Sequence, residues 1–155
     1  MALKGLSSLG VKVGYALETE AGKKPSAFTL LTRISSVGDI NLSPETIDAS
    51  ALEDYSSAYV EGRADTGGNC DIVINMTPDT IEEWEDAIAA YLGKGEGLEM
   101  WFTVWHPSMS KAFFFKAGLP AKLNMPGQEQ NSLETFTAST IVHDYVGLDT
   151  AIEPA

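Results

Sequence analysis

The side chains best suited to acid–base or nucleophilic work are few: two histidines, His106 and His143, and one cysteine, Cys70. A general base must sit beside the group whose proton it takes. The two imidazoles lie far apart in the sequence, near the ends of expected strands, and each reads as a satisfied strand-edge residue. Cys70 is followed by Asp71, whose negative charge disfavours a thiolate, so it reads as an ordinary buried cysteine. Asp65, Asn69 and Asp71 in ADTGGNCD are spaced faintly like a calcium loop, but the remaining oxygen ligands and the closing Glu are missing and the segment reads as a turn. One cysteine and two separated histidines do not make a zinc site. GKGEG comes after a helical pattern, not before one, and no Lys-Ser or Lys-Thr follows it, so no phosphate loop is expected. Of the basic residues only Lys23 and Lys24 are adjacent, which rules out a cationic groove interleaved with aromatics. The expectation is therefore no catalytic residue, no metal and no cofactor, and a role in binding or assembly.

The bulk properties agree with that reading. A chain of 155 residues with 44% hydrophobic and 21% charged residues fits one globular domain over 1–155. A lone cysteine excludes an intrachain disulfide, the N-terminal stretch alternates where a signal peptide would be continuously apolar, and no run approaches the roughly 18 apolar residues of a membrane span. Folding in a reducing cytoplasm is expected. The formal net charge of −12 repels phosphate backbones and anionic lipid surfaces.

Strands dominate the pattern. Leu9, Val11, Val13, Tyr15 and Leu17 alternate, which predicts a first strand with one buried face; a turn at Gly22–Pro25 leads to an antiparallel second strand over Phe28–Ile34. Ile72, Ile74 and Met76 alternate in a third strand. Thr80 and Glu83 fit a capping box for a helix over 80–92, with Ile81, Trp84, Ala87, Ile88, Tyr91 and Leu92 at helical spacing. Met100, Phe102 and Val104 share one face of the next strand and Trp101, Thr103 and Trp105 the other. Pro107 and Ser108 turn that strand into a hairpin with Phe113–Phe115. Apolar groups on both faces require cover on both sides. LETFTASTIVHDY predicts the last long strand, and the acidic tail over 147–155 is expected to be poorly ordered. The class predicted is mainly β, an antiparallel sandwich or partly open barrel with one flanking helix.

Between the early strands and the third lies a segment at about 41–69, acidic and rich in small residues, for which no core element is expected. A long connection inside a compact domain is usually functional or disordered. Tyr55 and Tyr59 are also compatible with a short helical turn.

The order of these features, with TRISSVGDINLSPETIDASALEDYSSAYVEGRADTGG, a strand ending in Met76-Thr77-Pro78, an acidic helix containing Trp84 and an aromatic hairpin, resembles the major tail tube proteins of siphophages. By extension it resembles the tube proteins of contractile tails and type VI secretion. The resemblance covers roughly Leu9–Val142 and places Glu45, Thr46, Ile47, Asp48, Tyr55, Tyr59, Gly62 and Asp65 in the family's assembly segment. It implies a structural virion protein of the phage tail, assembled in the host bacterial cytoplasm, whose copies form stacked rings of six. The loop would reach a neighbouring subunit or ring, the partners being tape measure and tail tip proteins, and DNA would pass through the lumen without specific binding. Six copies would carry about −72, so an acidic lumen would repel DNA within roughly a Debye length. One face of the hairpin strands would then meet a neighbour. The alternatives are another ring-forming tail component such as a tail terminator, or a monomeric β-sandwich binding module displaying Trp101 and Trp105 as a platform.

Overall fold

The computed structural model describes residues 5–65 and 68–155. Nine strands and one helix follow in the order β1 (Lys12–Leu17), β2 (Thr29–Leu31), β3 (Ile34–Val37), β4 (Ser43–Asp48), β5 (Tyr59–Asp65), β6 (Asn69–Asn75), α1 (Pro78–Leu92), β7 (Met100–Trp105), β8 (Lys111–Gly118) and β9 (Thr135–Thr150). Seven strands form one sheet in the order β2-β1-β7-β8-β9-β6-β3, and β4 and β5 form a separate two-stranded sheet. Every pairing is antiparallel. The class is mainly β, with one helix and no closed barrel.

The expected second strand is in fact two. Arg33 takes a left-handed conformation at φ 56°, which breaks Phe28–Ile34 into β2 and β3. These lie at opposite edges of the sheet, yet only Thr32 and Arg33 separate them, a Cα path of at most about 11 Å. The sheet is therefore coiled until its edges nearly meet, its two halves facing each other as in a sandwich. The crossing is tied down: the Glu83 carboxylate accepts the Thr32 N–H at 3.1 Å and the Thr32 hydroxyl at 2.9 Å, and the Arg33 carbonyl accepts the Asn75 N–H at 3.0 Å.

Inside the coil, Val13, Leu31, Ile72, Ile74, Met100, Phe102, Phe115 and Phe136 pack with Trp84, Ala87 and Ile88 of α1. The helix starts earlier than expected. Thr77 is the N-cap, its hydroxyl accepting the Thr80 N–H at 3.1 Å while the Thr80 hydroxyl accepts the Thr77 N–H at 2.9 Å. Pro78, which has no N–H to leave unsatisfied, fits the first turn. The capping box thus pairs Thr77 with Thr80, and Glu83 is released to hold the crossing.

The first strand begins at Lys12, not Leu9, because Gly10 turns the chain at φ 83° and leaves Leu9 exposed. The larger correction concerns the second face of the β1–β7–β8 sheet. Phe28, Trp101, Ala112 and Phe114 are buried there under Ala151 and Ile152, so this face is covered by the chain's own C-terminal segment and not by a neighbour. The tail expected to be loose is built in: β9 runs to Thr150, and the Ala155 N–H donates to the Phe28 carbonyl at 3.1 Å while its carbonyl accepts the Leu30 N–H at 3.0 Å. Lys12 pairs with Glu153 at 2.6 Å, and Pro154 is buried over Gly14. The acidic residues of this segment obscure an apolar row, Ala151, Ile152 and Pro154, that finds the aromatic face.

A Cβ on Gly14 would lie 2.7 Å from the Pro154 Cβ, too close for both to stay. Gly14→Val is therefore expected to lift the C-terminal segment and expose Trp101 to solvent while Trp84 stays in the core, at a cost of about 1–3 kcal/mol. Acrylamide quenching of tryptophan fluorescence with thermal unfolding checks this; unchanged quenching would mean that the segment does not cover that face.

Candidate functional site

The segment read as a loop over 41–69 is a projecting β-ribbon. Ile47 pairs with Val60, Asp48 with Tyr59, Thr46 with Glu61 and Ser43 with Asp65, the register shifting between Pro44 and Thr46. All of β4 is exposed, so no buried face imposes an alternation on the sequence and the strand signal stays hidden. The β-branched and aromatic residues Thr46, Ile47, Tyr59 and Val60 are the trace that could have revealed it.

The tip closes through its own polar groups. The Asp48 carboxylate accepts the Ser50 N–H at 2.9 Å, the Ser50 hydroxyl accepts the Ala58 N–H at 2.6 Å, and the Asp54 carboxylate accepts the Ala51 N–H at 2.7 Å. These local bonds order the turn without burying anything. Leu52 and Tyr55 stand on it fully exposed.

Pleating divides the ribbon into unlike faces. Ile47 and Val60 share one, and Thr46, Asp48, Tyr59 and Glu61 share the other. Of the residues singled out in the sequence, Glu45, Ile47 and Gly62 come together: a Cβ at Gly62 would meet the Glu45 carbonyl at 3.1 Å and the Ile47 Cδ1 at 3.4 Å. Asp48 and Tyr59 are cross-strand partners beside Thr46, and Tyr55 sits apart at the tip, so the two tyrosines do not share a helical turn. The backbone of Asp65 ends β5; Thr66 and Gly67 of the ADTGGNCD turn lie outside the described residues. Leu52, Val60 and Glu61 were not singled out and belong to the same surface.

The other candidate groups are engaged elsewhere. His143 Nδ1 lies 2.8 Å from the Glu99 carboxylate, and the His106 ring contacts the Ser7 carbonyl and accepts the Ser108 N–H at 3.1 Å. Cys70 is buried and donates to the Gly38 carbonyl at 3.3 Å. Burial, and then the charge of Asp71, raise its thiol pKa. Beside Cys70, at the root of the ribbon, a cavity of about 280 Å³ is lined by Val37, Ile40, Val104, Phe113 and Tyr145. Among the described residues no three His, Cys, Asp or Glu side chains could hold a metal ion, and no helix is long and apolar enough to cross a membrane.

The coiled antiparallel sheet with one packed helix has a counterpart of similar fold among solved structures. A chain of the anti-feeding prophage baseplate, solved by electron cryo-microscopy with sixfold symmetrisation, aligns over 97% of both chains at a TM-score of 0.50 and 11% identity. At that identity the likeness is one of fold. No family model matches the sequence, and no curated protein matches it.

The Asp48 pKa is lowered, first by the Ser50 N–H and then by its hydroxyl. A depressed carboxylate contributes to the tip above its unfolded pKa and loses that contribution as pH falls through the folded value. The Ser50 amide resonance is therefore expected to titrate with a midpoint below the ordinary Asp value of about 3.9. Asp48→Ala should abolish the transition in an NMR titration; its persistence would break the assignment.

Proposed function

We propose that this chain is a structural subunit that polymerises with copies of itself into the stacked rings of a phage-tail-type tube, with no bond chemistry of its own. The observation that carries the reading is the ribbon. An isolated two-stranded hairpin is marginal in water, yet here one is held out from the body with its turn ordered and its apolar side chains bare. Such a ribbon contributes nothing to the core and gains its value on docking. Leu52 and Tyr55 would be its anchors, with Glu45, Ile47, Asp48, Tyr59, Gly62 and Asp65 completing the contact.

The fold shared with a sixfold-symmetrised baseplate supports a place in a tail-like assembly, and rings of six follow if the chain keeps that symmetry. Its partners would then be other copies, a tape measure protein and tail tip proteins, in a virion tail assembled in the bacterial cytoplasm. The −12 charge would keep DNA sliding through the lumen. A terminator or baseplate ring would use the same ribbon. The binding-module alternative would have to do without a Trp101–Trp105 platform, because Trp101 is only 4% exposed beneath the C-terminal segment, although Trp105 is only partly buried.

Concentrated protein is expected to give rings or tubes in negative-stain electron microscopy and to sediment as oligomers, whereas a chain with 43–65 replaced by a short Gly-Ser linker should remain monomeric. Tyr55→Ser and Leu52→Ser should each weaken association about tenfold. A wild-type chain that is monomeric at every concentration, or normal tubes from the ribbonless chain, would overturn the reading.

A further inference from the structure

The ladder between β6 and β9 is regular from Asn75↔Thr135 to Asn69↔Ile141. Its last bond is from the Val142 N–H to the Gly68 carbonyl at 2.7 Å. Continued in the same register, the chain before β6 would lie along residues 145–150 of β9. It does not: Gly68 sits at φ 85°, and β5 leaves to pair with β4 in its own sheet. From His143 to Thr150, β9 therefore keeps β8 on one side and has no strand on the other among the described residues.

This open edge has an apolar side. Leu148 pairs with Phe113 and Tyr145 with Phe115; Leu148 is 50% exposed and Phe113 39%. The cavity walled by Val37, Ile40, Phe113 and Tyr145 opens beside them. The ribbon carries the complement, two outer edges without strand partners among the described residues and one apolar face on which Ile47 is 53% and Val60 50% exposed. The strands match in length, β4 and β5 having 6 and 7 residues. Charge does not select the edge: residues 43–65 hold six carboxylates against Arg63, while Lys111, Lys116 and Lys24 near the edge stand against Asp144, Asp149, the Glu99 carboxylate on His143 and Asp39 of the cavity wall.

We propose that the open edge of β9, His143–Thr150, receives the β4–β5 ribbon of a second copy as added strands, laying Ile47 and Val60 against Phe113 and Leu148. This rests on the self-assembly reading and names the surface that meets the ribbon. The contact is head-to-tail: each copy gives a ribbon to one neighbour and an edge to the other, the arrangement that closes into rings. Strand addition satisfies the open backbone groups, and the paired apolar faces set the register.

The test uses the full chain with Ile47→Lys and Leu148→Glu, both at half-exposed positions that leave the core untouched, with circular dichroism confirming the fold. Each variant alone should associate at least tenfold more weakly than wild type in sedimentation velocity. An equimolar mixture should recover association, since the ribbon bearing the introduced lysine meets the edge bearing the introduced glutamate at one contact and unaltered residues meet at the next. A mixture of Ile47→Lys with Leu148→Lys should stop at a heterodimer, because only the contact between the unaltered ribbon and the unaltered edge forms and the next one sets lysine against lysine. Wild-type association with both single variants unaffected, or impaired singles that do not rescue each other, overturns the edge contact while the self-assembly reading stands; the second outcome points to the ribbon swinging onto β9 of its own chain. A wild-type chain that never associates overturns both.

Discussion

The fold depends on carrying the chain from one edge of a seven-stranded sheet to the other through two residues, Thr32 and Arg33. Their shortness forces the sheet to coil, since β2 and β3 end up about one residue-pair's reach apart at opposite edges. Backbone polar groups at such a crossing need partners once buried. Glu83 supplies one from the helix and Asn75 another from the adjoining strand. The carboxylate therefore does two jobs, since holding the crossing also seats α1 so that Trp84 enters the coil. The left-handed Arg33 costs some backbone strain, of order 1 kcal/mol, which the surrounding contacts offset.

Coiling creates an inside and an outside, and both are apolar along β7 and β8. The inside is filled by the helix and the facing strands, the outside by Phe28 and the C-terminal segment. With both faces of the body closed by the chain itself, Ile47, Leu52, Tyr55, Tyr59 and Val60 stay exposed on the ribbon and Phe113 and Leu148 beside the edge of β9, while Leu92, Met125 and Leu133 are exposed elsewhere. In the proposed assembly, association is thereby separated from folding: the surfaces assigned to it are ones the core does not use.

This separation explains which parts of the structure were legible in the sequence. Burial on one face writes a period of two or of 3.6 into a segment, so β1, β6, the β7–β8 hairpin and α1 could all be read. Phe28–Ile34 misled because its apolar run is continuous across Arg33, and nothing in residue type announces a left-handed crossing there. Thr80-x-x-Glu83 imitated a cap because a threonine also stands three residues earlier, and Pro78 decides between the two only once helix geometry is considered. The tail hid its apolar row among acids. The ribbon was legible as a special segment and its residues as a group, but not as strands, for strand patterning records burial and β4 has none. Its parity, with Ile47 opposite Val60, needs the register of two strands, which one strand's sequence does not contain.

An exposed ribbon and an open strand edge in one molecule are an aggregation hazard unless encounter is controlled. Two features of this chain restrain it. The ribbon is densely acidic and so is the chain as a whole, so free copies repel one another at long range. Gly68, in turn, directs the ribbon away from the edge to which its own register leads, leaving that edge for another chain. A residue able to keep β5 running straight into β6 would let the ribbon satisfy β9 within the same molecule. In the proposed assembly, the departure of the chain from the β9 register at Gly68 would leave an edge and a ribbon to share between copies.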